Sequence, residues 1–337
     1  MSFHVNLDGW VELGGKRLSM NELEAILCEN AKVVSKFGGE FYLKRDCCRA
    51  RDYFGIMPGD CPPGTVVCDN QNVGLVDPAY PIMDLGEAIE IAVRLRSDGG
   101  IVALSGGVDS ALVAVLAKKE CIAVGIAGSH DLLRSQQVAG ELGLTLNTVI
   151  IDPKSIETAL AQVLRVIPRI DPVNASIATT LYFVAQWAGS HGYNRILAGQ
   201  GADELFGGYA RYLKTDTLGQ DLERDFQGLG VQLVRDQAVA ALHITCFSLP
   251  YMDVRVVKAA RAIPPEKKVY DGIRKRPLRD VARRYLPVSI ACYEKKAMQY
   301  GSGVMKEIQR LASQKGYKRS AEEYLAQVAK KEGRTDS

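Results

Sequence analysis

The chain has 337 residues, with 42 Lys and Arg against 39 Asp and Glu, and 47% of it is hydrophobic. That length predicts two domains and a sizeable core, while a net charge of +3 gives no whole-chain argument for a nucleic-acid or membrane partner. No apolar run approaches the ~18–20 residues of a membrane helix, and the opening MSFHVNLDGW lacks a secretory pattern, which together predict a cytoplasmic protein.

Residues 1–78 hold Cys28, Cys47, Cys48, Cys61 and Cys68; Cys121, Cys246 and Cys292 lie further on. This spread predicts reduced thiols. A zinc site on Cys47, Cys48, Cys61 and Cys68 is the alternative, although the C-x₂-C spacing of zinc ribbons is missing. Turn signals fall at Asp8-Gly9, Gly14-Gly15, Gly38-Gly39, Pro58-Gly59-Asp60 and Pro62-Pro63-Gly64. GEFYLKRD and GTVVCD read as short strands and NELEAILCENAKVVSKF as one helix, so a small β-rich α+β domain is predicted over 1–78. The stretch around Asp77-Pro78 and Tyr80-Pro81 reads as a linker.

From residue 83 helix and strand alternate. Helices are predicted over 84–97, 109–119, 131–142, 153–166 and 173–190, and strands over 101–104, 121–127, 145–151 and 195–199. This pattern predicts an α/β fold, a parallel twisted sheet with helices on both faces, in a domain spanning 79–317. Beyond Tyr209 the periodicity is mainly helical, and 318–337 reads as a charged tail with a frayed end.

The first strand, IVAL, runs into Ser105-Gly106-Gly107-Val108-Asp109-Ser110 and then a helix. Glycines let backbone N–H groups turn toward a ligand, and a helix N-terminus adds unpaired donors and a positive dipole end. This is a phosphate site without the Walker lysine. Asp109 would repel phosphate and is read as a Mg²⁺ ligand; the plain alternative is an Asp opening a helix after a glycine turn. The fourth strand leads into Gln200-Gly201-Ala202-Asp203-Glu204-Leu205-Phe206-Gly207-Gly208-Tyr209. Asp203 is read as a second Mg²⁺ ligand, with a surface acidic turn as the alternative.

SGGVDS resembles the pyrophosphate loop of the N-type ATP pyrophosphatases. GQGADELFGGY resembles the G-E-G-A-D-E-L-F-G-G-Y signature of the asparagine synthetase family. GSHDLLRSQQVAGELGL, SLPYMD (248–253) and LRDVARRYLP (278–287) resemble further stretches of that family, so the likeness covers about residues 84–310. It implies an adenine nucleotide alpha hydrolase-like ATP pyrophosphatase domain and an ATP- and Mg²⁺-dependent ligase. Such an enzyme adenylates a carboxylate, releases pyrophosphate and forms an amide with ammonia or another amine. By position, it places ATP contacts on Leu104, Ser105, Gly106, Gly107, Asp109, Ser110, Val124 and Gly199, and metal ligands on Asp109 and Asp203. It places the reacting centre at Gln200 and Glu204 and a late active-site lysine at Lys296, with Lys295 as the alternative.

Two departures matter. Family members fed by glutamine begin with a cysteine nucleophile; here position 2 is Ser2, no cysteine precedes Cys28, and the glutamine-binding motifs are missing from residues 5–40. Yet GGEFYLKRDCCRARDYFGIMPG (38–59) resembles the later part of that amidotransferase domain, so 1–78 reads as a shortened remnant without glutaminase activity. Gln200 stands where the family has glutamate, which weakens aspartate as the expected carboxylate. A homodimer or a separate glutaminase partner is the expected assembly. The interval 254–296, with 13 Lys and Arg against four acids, leaves a tRNA or peptide acceptor open. A catalytically silent regulatory subunit is the remaining alternative.

Overall fold

The computed structural model describes residues 5–294, 298–317 and 320–333. The first six strands, β1 (Val5–Leu13), β2 (Lys16–Arg17), β3 (Gly38–Arg45), β4 (Cys48–Arg51), β5 (Thr65–Cys68) and β6 (Gln71–Leu75), form an antiparallel sheet of order β2-β1-β3-β4-β5-β6. Asp8-Gly9 is not a turn. Gly9 kinks the middle of β1 at φ +89°, where a Cβ would lie 2.0 Å from the Glu40 carbonyl oxygen. The predicted helix over 21–37 is two elements: α1 (Met20–Glu29) ends at Asn30, whose own side chain accepts from Lys32 N–H and opens a 3₁₀ turn, Ala31–Lys36. Leu23, Leu27 and Phe37 share one core cluster with Phe41 of β3, and all four are almost wholly buried.

The expectation of reduced thiols fails at one pair. Cys48 and Cys68 lie directly opposite each other on β4 and β5, with Cα atoms 4.1 Å apart, and form a disulfide. The pairing register that brings them together is a tertiary fact. It also removes two of the four cysteines a zinc site would need.

Helix α2 (Leu85–Arg96) precedes the second sheet, built by β7 (Ile101–Ala103), α3 (Val108–Ala117), β8 (Cys121–Ile126), α4 (His130–Leu142), β9 (Leu146–Ile151), α5 (Pro153–Val166), α6 (Pro172–Ser190) and β10 (Arg195–Leu197). Then follow α7 (Ala202–Phe206), α8 (Leu218–Gln227), α9 (Leu229–Ala241), β11 (Cys246–Ser248), α10 (Val254–Arg261), α11 (Pro265–Lys268), α12 (Arg276–Ala282), α13 (Val288–Ala291), α14 (Met298–Gly301), α15 (Val304–Gln314) and α16 (Ala321–Lys331). The second sheet has the order β11-β10-β7-β8-β9, with β10, β7, β8 and β9 parallel. Chain order steps one way from β7 through β9 and then returns past β7 to β10. Right-handed crossovers therefore put α3 and α4 on one face and α5 and α6 on the other. In α16, Tyr324, Leu325 and Ala329 are buried, and Arg165 of α5 pairs with Glu332.

Two compact units result, and they do not follow the chain linearly. One comprises Met1–Asp98, Gln200–Leu233 and Ser248–Arg276; the other comprises Gly99–Gly199, Val234–Phe247 and Pro277–Ser337. Within the first, buried charges hold the antiparallel sheet to α2 and α10. Glu40 accepts from Arg96 Nε at 2.8 Å, Trp10 Nε1 at 3.1 Å, Leu249 N–H at 2.7 Å and the Ser248 hydroxyl. Arg96 also bonds Asp253 at 2.9 Å, and Arg255 grips Glu12 through two bonds of 2.7 Å. Burial works against the Glu40 carboxylate, but Arg96, Ser248 and Leu249 N–H outweigh it and hold its pKa below the ordinary glutamate value.

Candidate active site

The strand order reverses at β7, which has β8 on one side and β10 on the other. Ligands of open α/β sheets bind beyond the carboxyl ends of strands at such a point. Both sequence motifs begin there: Leu104 leads β7 into its glycine turn, and Gly199 follows β10.

Within that unit the turn is held from several sides. Leu104 N–H bonds Ile122 O at 2.9 Å, and Leu104 O accepts from the Ser135 hydroxyl at 2.8 Å. Gly106 sits at φ +75°, and a Cβ there would lie 2.6 Å from Arg134 Cγ and 3.0 Å from the Arg134 backbone. Ser110 is buried; its hydroxyl accepts from Ser105 N–H at 3.1 Å, lies 3.0 Å from Ser105 Oγ and donates to Gly107 O at 3.2 Å. These bonds brace the turn. Gly107 starts α3 without a side-chain cap, and Asp109 lies in the first helical turn. The N-terminal donors of α3 therefore have no competing cap side chain. Gly199 packs against Asp109, and Val124 is buried toward the carboxyl end of β8.

Arg134 and Ser135 were not singled out from the sequence. They share one face of α4 with Asp131 at helical spacing, three polar groups buried on one helix. Arg134 donates to Ser289 O at 3.0 Å and stacks on Tyr293 at 4.0 Å; His130 Nε2 lies 2.8 Å from the Tyr293 hydroxyl. Lys295 and Lys296 lie outside the described residues.

The second motif has its own framework in the other unit. Gln200 is half-buried in the turn after β10. Asp203 Oδ1 lies 2.7 Å from Lys275 Nζ. Gly208 permits this approach, since a Cβ there would be 1.7 Å from Asp203 Oδ1 and 2.2 Å from Lys275 Cε. Glu204 is buried and accepts from the Tyr209 hydroxyl and from Gln232 Nε2 at 3.2 Å. Burial, then the charge of Asp203, raises the Glu204 pKa. Lys275, Tyr209 and Gln232 were missed by the sequence reading.

The basic residues of the interval 254–296 are mixed in exposure. Arg255, Lys268, Lys275 and Arg279 are buried. Arg261 pairs with Glu223, and Arg279 donates to Ala291 O and Tyr293 O.

A parallel sheet with a glycine turn at its switch point defines the class as an α/β protein. The asparagine synthase family profile matches residues 84–243 and 215–332, and the chain belongs to that family. A relative from Methanocaldococcus jannaschii, provisionally named glutamine-hydrolysing asparagine synthetase 1, is 33% identical over 295 residues, 73% of this chain and 54% of its own. Asparagine synthetase B of Escherichia coli is 27% identical over 65% of this chain and 45% of its own. Asparagine synthetase 1 of Arabidopsis thaliana is 26% identical over 66% and 44%. The chain thus spans about half the length of the curated relatives it matches. The solved NMN synthetase of Francisella tularensis aligns with 76% of this chain and 98% of its own at 15% identity and a TM-score of 0.38, too slight a likeness to bear on fold or function. Among the described residues, no helix is long and apolar enough to cross a membrane.

Proposed function

We propose that the chain is an ATP- and Mg²⁺-dependent ligase of the asparagine synthetase type. A carboxylate oxygen attacks the α-phosphate of ATP and pyrophosphate leaves. Ammonia or another amine then attacks the acyl carbon, and AMP departs. The observation that carries this reading is the uncapped start of α3 behind a glycine turn at the sheet's switch point.

The donor set suits the metal. Mg²⁺ takes hard oxygen ligands, commonly one or two carboxylates alongside phosphate oxygens, and Asp109 and Asp203 are the carboxylates assigned to it. When bound, the ion offsets phosphate charge as pyrophosphate leaves. Leu104, Ser105, Gly106, Gly107, Asp109, Ser110, Val124 and Gly199 are assigned to ATP, and the hydroxyl of Ser110 also braces the turn. Gln200 and Glu204 are assigned to the reacting centre. Lys296, or Lys295, is assigned to charge developing in the transition state.

The N-terminal sheet is read as a scaffold without glutaminase activity. Both Glu40 oxygens are engaged by Arg96, Trp10, Ser248 and Leu249, and the cavity beside Gly38, Gly39 and Asp52 holds only about 10 Å³. Nitrogen then comes from free ammonia, another amine or a partner that hydrolyses amides.

Pyrophosphate release from ATP and Mg²⁺ tests this, over a panel of carboxylates with ammonium and with amines. Release should depend on one carboxylate and vanish in both Asp109→Ala and Asp203→Ala. Undiminished release in both variants overturns the site.

A further inference from the structure

A second cavity lies within the unit that carries Asp203 and Glu204. It measures about 130 Å³, several times what one water needs and too little for a nucleotide. Lys268 lines it from α11 and is only 6% exposed. Among the described residues nothing hydrogen-bonds or ion-pairs with this lysine, although Glu223 attracts it from further off. The stem is buried while the ammonium, without a protein partner, has to be met by water or an anion.

The surroundings define what would pair it. Arg261 also lines the cavity, but two bonds of 2.9 and 3.0 Å tie it to Glu223 and its guanidinium lies over the Phe226 ring. Glu223 thus matches Arg261, and Lys268 is left as the cation of the lining with no acid bonded to it among the described residues. Leu222, Phe226 and Ile263 supply apolar wall, and Glu204 adds an acid to the lining. One negative charge on a short apolar body is therefore matched, whereas a second negative charge meets Glu223 or Glu204.

We propose that this cavity binds a small monocarboxylate, its carboxylate on the Lys268 ammonium and its alkyl end against Leu222 and Phe226. The lining shares Glu204 with the proposed reacting centre, but the binding itself does not require the ligase reading. Burial, then Arg261, lowers the pKa of Lys268 to about 8, as expected of an ammonium awaiting a counter-ion.

Calorimetric titration of the full chain with propionate and butyrate, without ATP, tests the proposal. One site should appear, with succinate and chloride at matched ionic strength at least about tenfold weaker, a difference of about 1.4 kcal/mol. Lys268→Met should abolish binding, and Ile263→Trp, at a half-buried wall position, should abolish it by filling the space. NMR of ¹³Cε-labelled lysine should show the Lys268 pKa rising on saturation, because an anion favours the charged form. The proposal is overturned by no monocarboxylate heat at tens of millimolar, by chloride or succinate binding equally well, or by binding undiminished in both variants. None of these results touches the ATP assignment, since binding alone is read.

Discussion

Gly199 stands directly against Asp109: a Cβ on Gly199 would lie 3.1 Å from the Asp109 Cβ and 3.4 Å from Ser110 N. The end of β10 thus sets how far the first turn of α3 can approach. A methyl group there moves Asp109 by a few tenths of an ångström, and a branched side chain moves it further. Misplacement of about 1 Å at a reacting centre costs about 100-fold. Gly199→Ala should therefore lower kcat/KM for pyrophosphate release by about tenfold, and Gly199→Val should abolish Mg²⁺-ATP binding. Calorimetry with a non-hydrolysable ATP analogue separates the two, with melting temperature as the control for folding.

Lys275 holds its ammonium on the carboxylate assigned to the second metal contact, and its backbone sits at φ +55°, in the left-handed region. Ammonium and divalent cation compete for Asp203. Lys275→Met should lower the Mg²⁺ concentration that gives half-maximal pyrophosphate release while reducing the maximal rate, because the local positive charge is lost. A Mg²⁺ titration of initial rates reads both. An unchanged Mg²⁺ midpoint would remove Asp203 from the metal assignment.

The alternating helices and strands were legible because each parallel strand is a short apolar run punctuated by glycine or by a helix cap. Three elements were not. β1 was hidden by Asp8-Gly9, where the glycine serves a close backbone approach to Glu40 rather than a turn. α1 was drawn too long because Asn30 closes one helical piece and opens the next within an unbroken amphipathic pattern. β11 has only three residues inside a helical stretch. At the site, the glycine turn and its acids were visible as local chemistry. The Arg134 and Ser135 brace, the Lys275 contact and the Cys48–Cys68 bond arise from register and packing, to which local sequence is blind. Likewise, composition does not distinguish Arg255, bonded to Glu12 in the interior, from an arginine in water.

Glu40 and Arg96 are both almost wholly buried, and removing one partner leaves the other charged in the interior. Glu40→Gln should destabilise the chain by about 3–5 kcal/mol at pH 7, measured by urea unfolding. The pH dependence has a definite sign. The folded pKa of Glu40 lies below its ordinary value, so its stabilisation is present above the unfolded value and is lost as pH falls through the folded one. The gap between wild type and Glu40→Gln should narrow steadily on acidification below the ordinary glutamate range.

Lys268 has the opposite effect. Its pKa falls from 10.5 to about 8, first through burial and then through Arg261. Between those values the unfolded chain binds more protons than the folded one, so stability rises with pH across that window. Below pH 8 the folded state bears the whole penalty, on the order of 3 kcal/mol. Lys268→Met keeps most of the unbranched side chain and removes the charge. In the absence of carboxylate it should be more stable than wild type by up to about 3 kcal/mol at pH 7. The advantage should shrink from pH 8 and be gone near 10.5. Urea unfolding of both proteins at a series of pH values checks this. A difference that is constant with pH would mean that Lys268 keeps an ordinary pKa and reaches solvent.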